Sequence, residues 1–132
     1  MQIMMEPIGH VKTSSVKVPR HWSVSDIEGE LVIDQQYTKG LKDIEAGQKI
    51  VVLFSFHKSA GFTPDRLVQT PPHREKPMGV FSICSPFRPN PIGMSVVEVL
   101  SIEDNVLKVK GIDMLNETPI LDIKPWVAPE NH

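Results

Sequence analysis

Residues 94–112, Met-Ser-Val-Val-Glu-Val-Leu-Ser-Ile-Glu-Asp-Asn-Val-Leu-Lys-Val-Lys-Gly-Ile, read as a strand, a turn and a returning strand. Both arms are rich in β-branched residues, and Asp104-Asn105 between them is a turn signal for a hairpin. Working outward, residues 49–57, Lys-Ile-Val-Val-Leu-Phe-Ser-Phe-His, form the strongest single strand. Further strands are expected at Ile8–Thr13, Gly29–Asp34, Gly79–Cys84 and Pro119–Pro125. Twelve prolines and eight glycines argue against long helices. The best helix candidate is Tyr37–Ala46, with Leu41 and Ile44 at helical spacing and Gly47 as a stop. Six or seven short strands with turn punctuation predict a mainly β fold, a closed or nearly closed barrel with short helical segments. The 132 residues suit one domain, residues 1–132.

Composition sets bounds on function. An apolar share of 40% and a charged share of 23% are ordinary for a globular protein. The first eight residues have no basic leader, so no signal peptide is expected, and no apolar run is long enough for a membrane span. The lone cysteine, Cys84, cannot form an internal disulfide and fits a reducing, cytoplasmic setting. It follows an expected strand and reads as a packed thiol. The five histidines lack paired ligand spacing, so no metal site is expected. No glycine-rich phosphate motif occurs, which argues against a doubly wound nucleotide-binding domain. The formal charge of −2 means that any contact with nucleic acid is local or shared across an oligomer.

Four stretches could carry chemistry. In Ser85-Pro-Phe-Arg-Pro-Asn-Pro-Ile-Gly, prolines 86, 89 and 91 stiffen the backbone around Arg88 and Asn90. Arg88 offers a planar fork for a carboxylate or phosphate, and Asn90 offers both a donor and an acceptor. A rigid surface turn with an ordinary ion pair is the plainer account of the same residues. The run Asp113-Met-Leu-Asn-Glu-Thr-Pro-Ile-Leu-Asp-Ile-Lys-Pro holds a turn at Asn116–Pro119, and puts Asp122 and Lys124 on one strand face where they can pair. Pro19-Arg20-His21-Trp22 could stack on a purine or hold a phosphate, or simply anchor Trp22 to the core. Phe56-His57-Lys58 ends the strongest strand, where barrels open onto pockets. The proline-rich loop 63–77 adds Arg66, His73, Arg74 and Lys76, which with Lys58 make a basic stripe for RNA or merely a solvated surface.

Taken together, Gly79–Ser95, Gly111–Pro125, Ile8–Thr13, Val18–His21 and Phe56–Lys58 resemble the TsaA-like family, of the tRNA methyltransferase O type. These pieces keep the family's order over nearly the whole chain. The resemblance implies a single β-barrel-like domain that binds S-adenosylmethionine, and a homodimer. It implies methylation of the exocyclic nitrogen of threonylcarbamoyl-adenosine beside the anticodon of tRNA. It places the methyl donor against Pro19, Arg20, His21, His57, Lys58, Asn116, Glu117, Thr118 and Pro119, with Arg88 and Asn90 positioning the reactants. The chain departs from the family pattern in three places. Cys84 stands where an arginine is usual, Asn116-Glu117 replaces Asp-Gly, and Gly47-Gln-Lys-Ile-Val replaces a Phe-Ser-His-Leu-Trp type segment. A methyltransferase acting on another RNA or a small molecule, and a non-catalytic donor-binding module, remain the alternatives. The sequence names no acceptor for the proton that the methylated nitrogen must lose.

Overall fold

Period-two burial builds most of the fold. The computed structural model describes every residue except Val16, Arg20, His73 and residues 128–132. Its strands are β1 (Gly9–Lys12), β2 (Glu28–Ile33), β3 (Lys49–Ser55), β4 (Val68–Gln69), β5 (Met78–Gly79), β6 (Ile92–Glu103), β7 (Val106–Lys110) and β8 (Pro119–Pro125). Six of them close into an antiparallel barrel in the order β1-β2-β7-β6-β3-β8, and β4 and β5 pair separately. The β1–β8 pair completes the ring through Gly9 opposite Ile120.

In β3, Ile50, Val52 and Phe54 point inward while the residues between them are less buried. Val97, Val99, Leu107, Val109, Leu31, Ile33, Val11 and Ile120 complete the filling. Burying each such side chain stabilises the fold by about 1.5–3 kcal/mol. β6 is long enough to serve two neighbours. Its first half pairs with β3, and its second half pairs with β7 across a register shift at Leu100. That shift bends the strand and lets the sheet curl shut. The β6–β7 hairpin turns at Asp104, whose φ is +53°, and Asn105 donates from its side chain to the Ile33 carbonyl at 2.6 Å.

Two local expectations are corrected. Tyr37–Ala46 is not an α-helix; a 3₁₀ segment spans Gln35–Leu41. Asp43 at φ +73° and Gly47 at φ +92° turn the chain before helical bonding can propagate. Gly79–Cys84 is not a strand either. After Gly79 the chain enters a 3₁₀ turn at Val80–Ser82, with Val80 buried as an anchor and Phe81 exposed. Asp122 and Lys124 do pair, at 3.1 Å on the exposed side of β8, as their spacing suggested.

Candidate active site

Side-chain size along the inward face of β6 creates the site. Gly93, Ser95, Val97 and Val99 are all buried, and the two small residues lie at one end. The branched pair fills the barrel behind them, leaving room at the mouth. Phe54 sits opposite Gly93 on β3, and Phe56 meets the Phe54 ring edge-on at a centroid distance of 5.1 Å.

Two clefts meet at this aromatic floor and share Phe54, Phe56, Pro86 and Asp113. The larger, about 550 Å³, adds Val18, His57, Lys58, Phe87, Met114, Leu115 and Thr118. The smaller, about 280 Å³, adds His21, Ile83, Cys84, Arg88, Ile92 and Met94. Past His21 and Cys84 the surface opens into a groove of about 970 Å³ carrying Arg66, Gln69 and Arg74. A separate groove of about 700 Å³ lies at the Ile50 end of β3 and holds the Asp122–Lys124 pair, but none of the other residues expected at the site.

The proline-rich loop is fastened as well as stiff. Arg88 Nη1 donates to the Ile83 carbonyl at 2.7 Å and to that of Ser85 at 3.4 Å. Gln69 Nε2 donates to the Phe87 carbonyl at 2.9 Å, and Ser59 Oγ to that of Pro86 at 3.3 Å. The Phe56 N–H donates to the Pro91 carbonyl at 2.9 Å, which ties the loop to the end of β3. Arg66 stacks over the Phe87 ring with Cζ 3.8 Å from its centre. Arg88 therefore holds its own loop through backbone carbonyls and makes no surface ion pair among the described residues.

Asp113 follows Gly111-Ile112, where the chain leaves β7 at a φ of +108°. It is flanked by fully buried Ile112 and nearly buried Met114. Ser95 Oγ donates a short hydrogen bond to its Oδ1. Burial pushes the Asp113 carboxyl above the usual carboxylate range, against the opposing pull of the Ser95 hydroxyl, His21 and nearby backbone N–H groups. A folded pKa raised above the unfolded value favours the fold at low pH, and that contribution is lost as pH rises through the folded pKa. Asp113→Asn is expected to remove this loss, because the amide oxygen still accepts from Ser95. The variant should melt above the parent at pH 7, and the gap should narrow as pH falls toward the ordinary carboxylate range. Thermal melts at stepped pH check this; a gap that widens in acid would contradict it.

Of the residues expected to hold a donor, His21, His57, Lys58 and Thr118 line the clefts. The His21 Nδ1 accepts from the Ser23 N–H at 3.2 Å, so the neutral ring carries its proton on Nε2. Thr118 is buried, and its hydroxyl donates to the Leu115 carbonyl at 2.7 Å. Asn116, Glu117 and Pro119 stand back from the clefts and organise the turn. Asn116 Oδ1 accepts from the Thr13 N–H at 2.9 Å, the Glu117 N–H donates to the Val11 carbonyl at 2.8 Å, and Pro119 pairs with His10. Glu117 sits at φ +70°, a conformation that the glycine usual there adopts freely. Pro19 is half-buried beside Val18, and Arg20 lies outside the described residues, as does His73 of the basic stripe. Asn90 is exposed, and its carbonyl accepts from the Ile92 N–H at 2.7 Å. Cys84 is exposed at the cleft edge, which corrects its reading as a packed thiol: the turn at Val80–Ser82 buries Val80 and leaves Cys84 outside. Sequence reasoning gave no role to Asp113 or Phe54. The available signal was a single carboxylate placed between residues that pattern as core.

A family model for the tRNA-methyltransferase O N-terminal domain matches residues 10–130. The chain belongs to this family. An Archaeoglobus fulgidus protein named "S-adenosyl-L-methionine-binding protein" is 40% identical over 131 residues, covering 97% of this chain and 91% of its own length. The human "tRNA (adenine(37)-N6)-methyltransferase" is 32% identical over 134 residues, covering 96% of this chain, which spans only 30% of the human protein. Among solved structures, TrmO from Pseudomonas aeruginosa superposes with a TM-score of 0.76 at 29% identity; 96% of this chain spans 57% of that one. The mainly β fold expected from the strand pattern is thus the fold of TrmO-family relatives.

Proposed function

We propose that this chain is an S-adenosylmethionine-dependent methyltransferase that modifies an exocyclic adenine nitrogen in tRNA. The observation that carries the reading is the junction of two clefts on one aromatic floor, inside a domain of the tRNA-methyltransferase O family. One cleft suits a donor and the other an acceptor, and the shared residues stand where the methyl group must pass.

The larger cleft fits the donor chemically. Phe54, Phe56, Met114 and Leu115 offer apolar walls for an adenine ring, and aromatic faces also favour a sulfonium. Lys58 and His57 at its rim suit the carboxylate end. Bound there, the donor supplies an electrophilic methyl group. The protein's work is then chiefly alignment, which can supply about 7–11 kcal/mol of a barrier. The fastened 83–91 loop and the Phe54–Phe56 pair keep that geometry. Arg88 holds the loop in shape and keeps a positive edge on the acceptor side, so its part is positioning. The groove with Arg66, Gln69 and Arg74 suits an RNA backbone leading into the smaller cleft. Threonylcarbamoyl-adenosine is the acceptor that the sequence resemblance favours. A homodimer would cover the exposed Phe81.

Labelled donor mixed with the protein and total tRNA tests the reading: label should enter tRNA, and donor binding without transfer to any RNA would leave a sensor module in its place. Arg66→Ala and Arg74→Ala should each lower the salt slope of tRNA affinity by about 1. Donor affinity should stay unchanged in both. Unaltered salt slopes would remove the groove from the RNA path.

A further inference from the structure

We propose that Asp113 is a catalytic residue, the group that takes the proton from the acceptor nitrogen as it is methylated. This rests on the methyltransferase reading above and adds the proton acceptor that the reading lacks. Among the described residues, Asp113 is the only acidic one lining either of the two clefts that meet at Phe54 and Phe56, and it lines both. A carboxylate shared by the donor and acceptor sides lies next to the path of the transferred methyl. Among the described residues that both clefts share, no other side chain can accept a proton. Phe54, Phe56 and Pro86 have no basic side-chain atom, and Arg88 and Lys58 are cations at neutral pH. His21 borders only the smaller cleft, with Nδ1 occupied by Ser23.

The step balances as follows. The acceptor nitrogen's lone pair forms a bond to the methyl carbon while that carbon's bond to sulfur breaks, its electron pair remaining on sulfur as a neutral thioether. The nitrogen's hydrogen leaves as a proton to an Asp113 carboxylate oxygen, and its bonding pair stays on nitrogen. The neutral carboxylic acid then returns the proton to solvent through the open cleft. Ser95 Oγ–H fixes Oδ1, and the carboxyl so held lines both clefts. Burial makes this carboxylate a stronger base than an exposed one, as a proton acceptor needs. Besides Asp113, the titratable and charged groups facing this space are His21, Cys84, Arg88, His57 and Lys58.

The test compares the full chain with Asp113→Asn and Ser95→Ala. Single-turnover transfer to tRNA at saturating donor should fall by about 10²–10⁴-fold in Asp113→Asn, the span that general-base catalysis supplies. Donor affinity by calorimetry should change by less than about threefold. Ser95→Ala removes the hydrogen bond that favours the ionised form, so the acidic limb of its rate profile should move to higher pH. Carbon NMR of the Asp113 carboxyl in the donor-free protein should show the same upward move. Retained transfer in Asp113→Asn, or an equal loss of donor affinity, overturns the assignment; the second result would make Asp113 a donor ligand. An unmoved titration in Ser95→Ala also overturns it. Failure of the parent protein itself to methylate any tRNA is a different result, and takes down the methyltransferase reading along with this one.

Discussion

Gly9→Ala is expected to cost the fold at least about 3 kcal/mol, at the upper end of the usual range for forcing atoms into a packed interior. A Cβ at position 9 would lie 2.2 Å from the Val32 carbonyl oxygen, 2.9 Å from Ile33 Cα and 3.0 Å from the Val32 carbonyl carbon. All three are backbone atoms, so no side chain can swing aside to make room. Gly9 pairs with Ile33 on β2 and with Ile120 on β8, which places it at the seam where the ring closes. The sheet would have to part on one side of β1. Gly79→Ala is the control, because a Cβ there meets nothing within 4 Å and φ is an ordinary −62°. Urea unfolding followed by circular dichroism should show a much lower midpoint for Gly9→Ala, and for Gly79→Ala a stability within about 0.5 kcal/mol of the parent. Equal midpoints for all three proteins would mean that the β1 seam can relax, and the closed-ring account of stability would fail.

The barrel was legible where physics is local. Ile50, Val52 and Phe54 alternate strictly, and the hairpin around Asp104-Asn105 carries its own turn chemistry, so β3, β6 and β7 stood out. Strand ends were harder to read. Gly79–Cys84 has strand composition, yet burying Val80 in a 3₁₀ turn satisfies the chain better there. Tyr37–Ala46 has helical spacing, but the left-handed turns at Asp43 and Gly47 show only in the backbone. The site divides along the same line. His21, His57, Lys58 and Arg88 were visible as motif residues and do converge on the clefts. Asp113 was quoted within its motif and passed over, because its depth depends on β6 and β7 packing around it. From sequence, Gly93 reads as a point where the backbone can bend or approach a ligand closely. Its importance is steric and long-range, since the atom it spares belongs to a ring on another strand.

Gly93→Ala should therefore damage the site more than the fold. A Cβ on residue 93 would stand 2.3 Å from Phe54 Cζ, 2.5 Å from Cε2 and 2.9 Å from Cε1. Those atoms are the far end of a side chain, so the strand pairing can survive if the ring turns away. The ring is 4% exposed, with core behind it and the two clefts in front, so its low-cost movement is outward into the clefts. That movement narrows both and breaks the edge-on contact with Phe56. The stability loss should stay within about 1–3 kcal/mol, the ordinary range for overpacking. Donor affinity should fall at least tenfold, about 1.4 kcal/mol, because the displaced ring occupies the space assigned to the adenosyl group. Phe54→Leu in the same background shortens the offending side chain. The double variant should recover much of the lost stability, since neighbouring changes couple strongly. Calorimetry with the donor, run on samples shown folded by their melts, separates the outcomes. If Gly93→Ala binds donor like the parent while its melting point drops, the Phe54 ring moves inward, and the larger cleft is not where the adenosyl group rests.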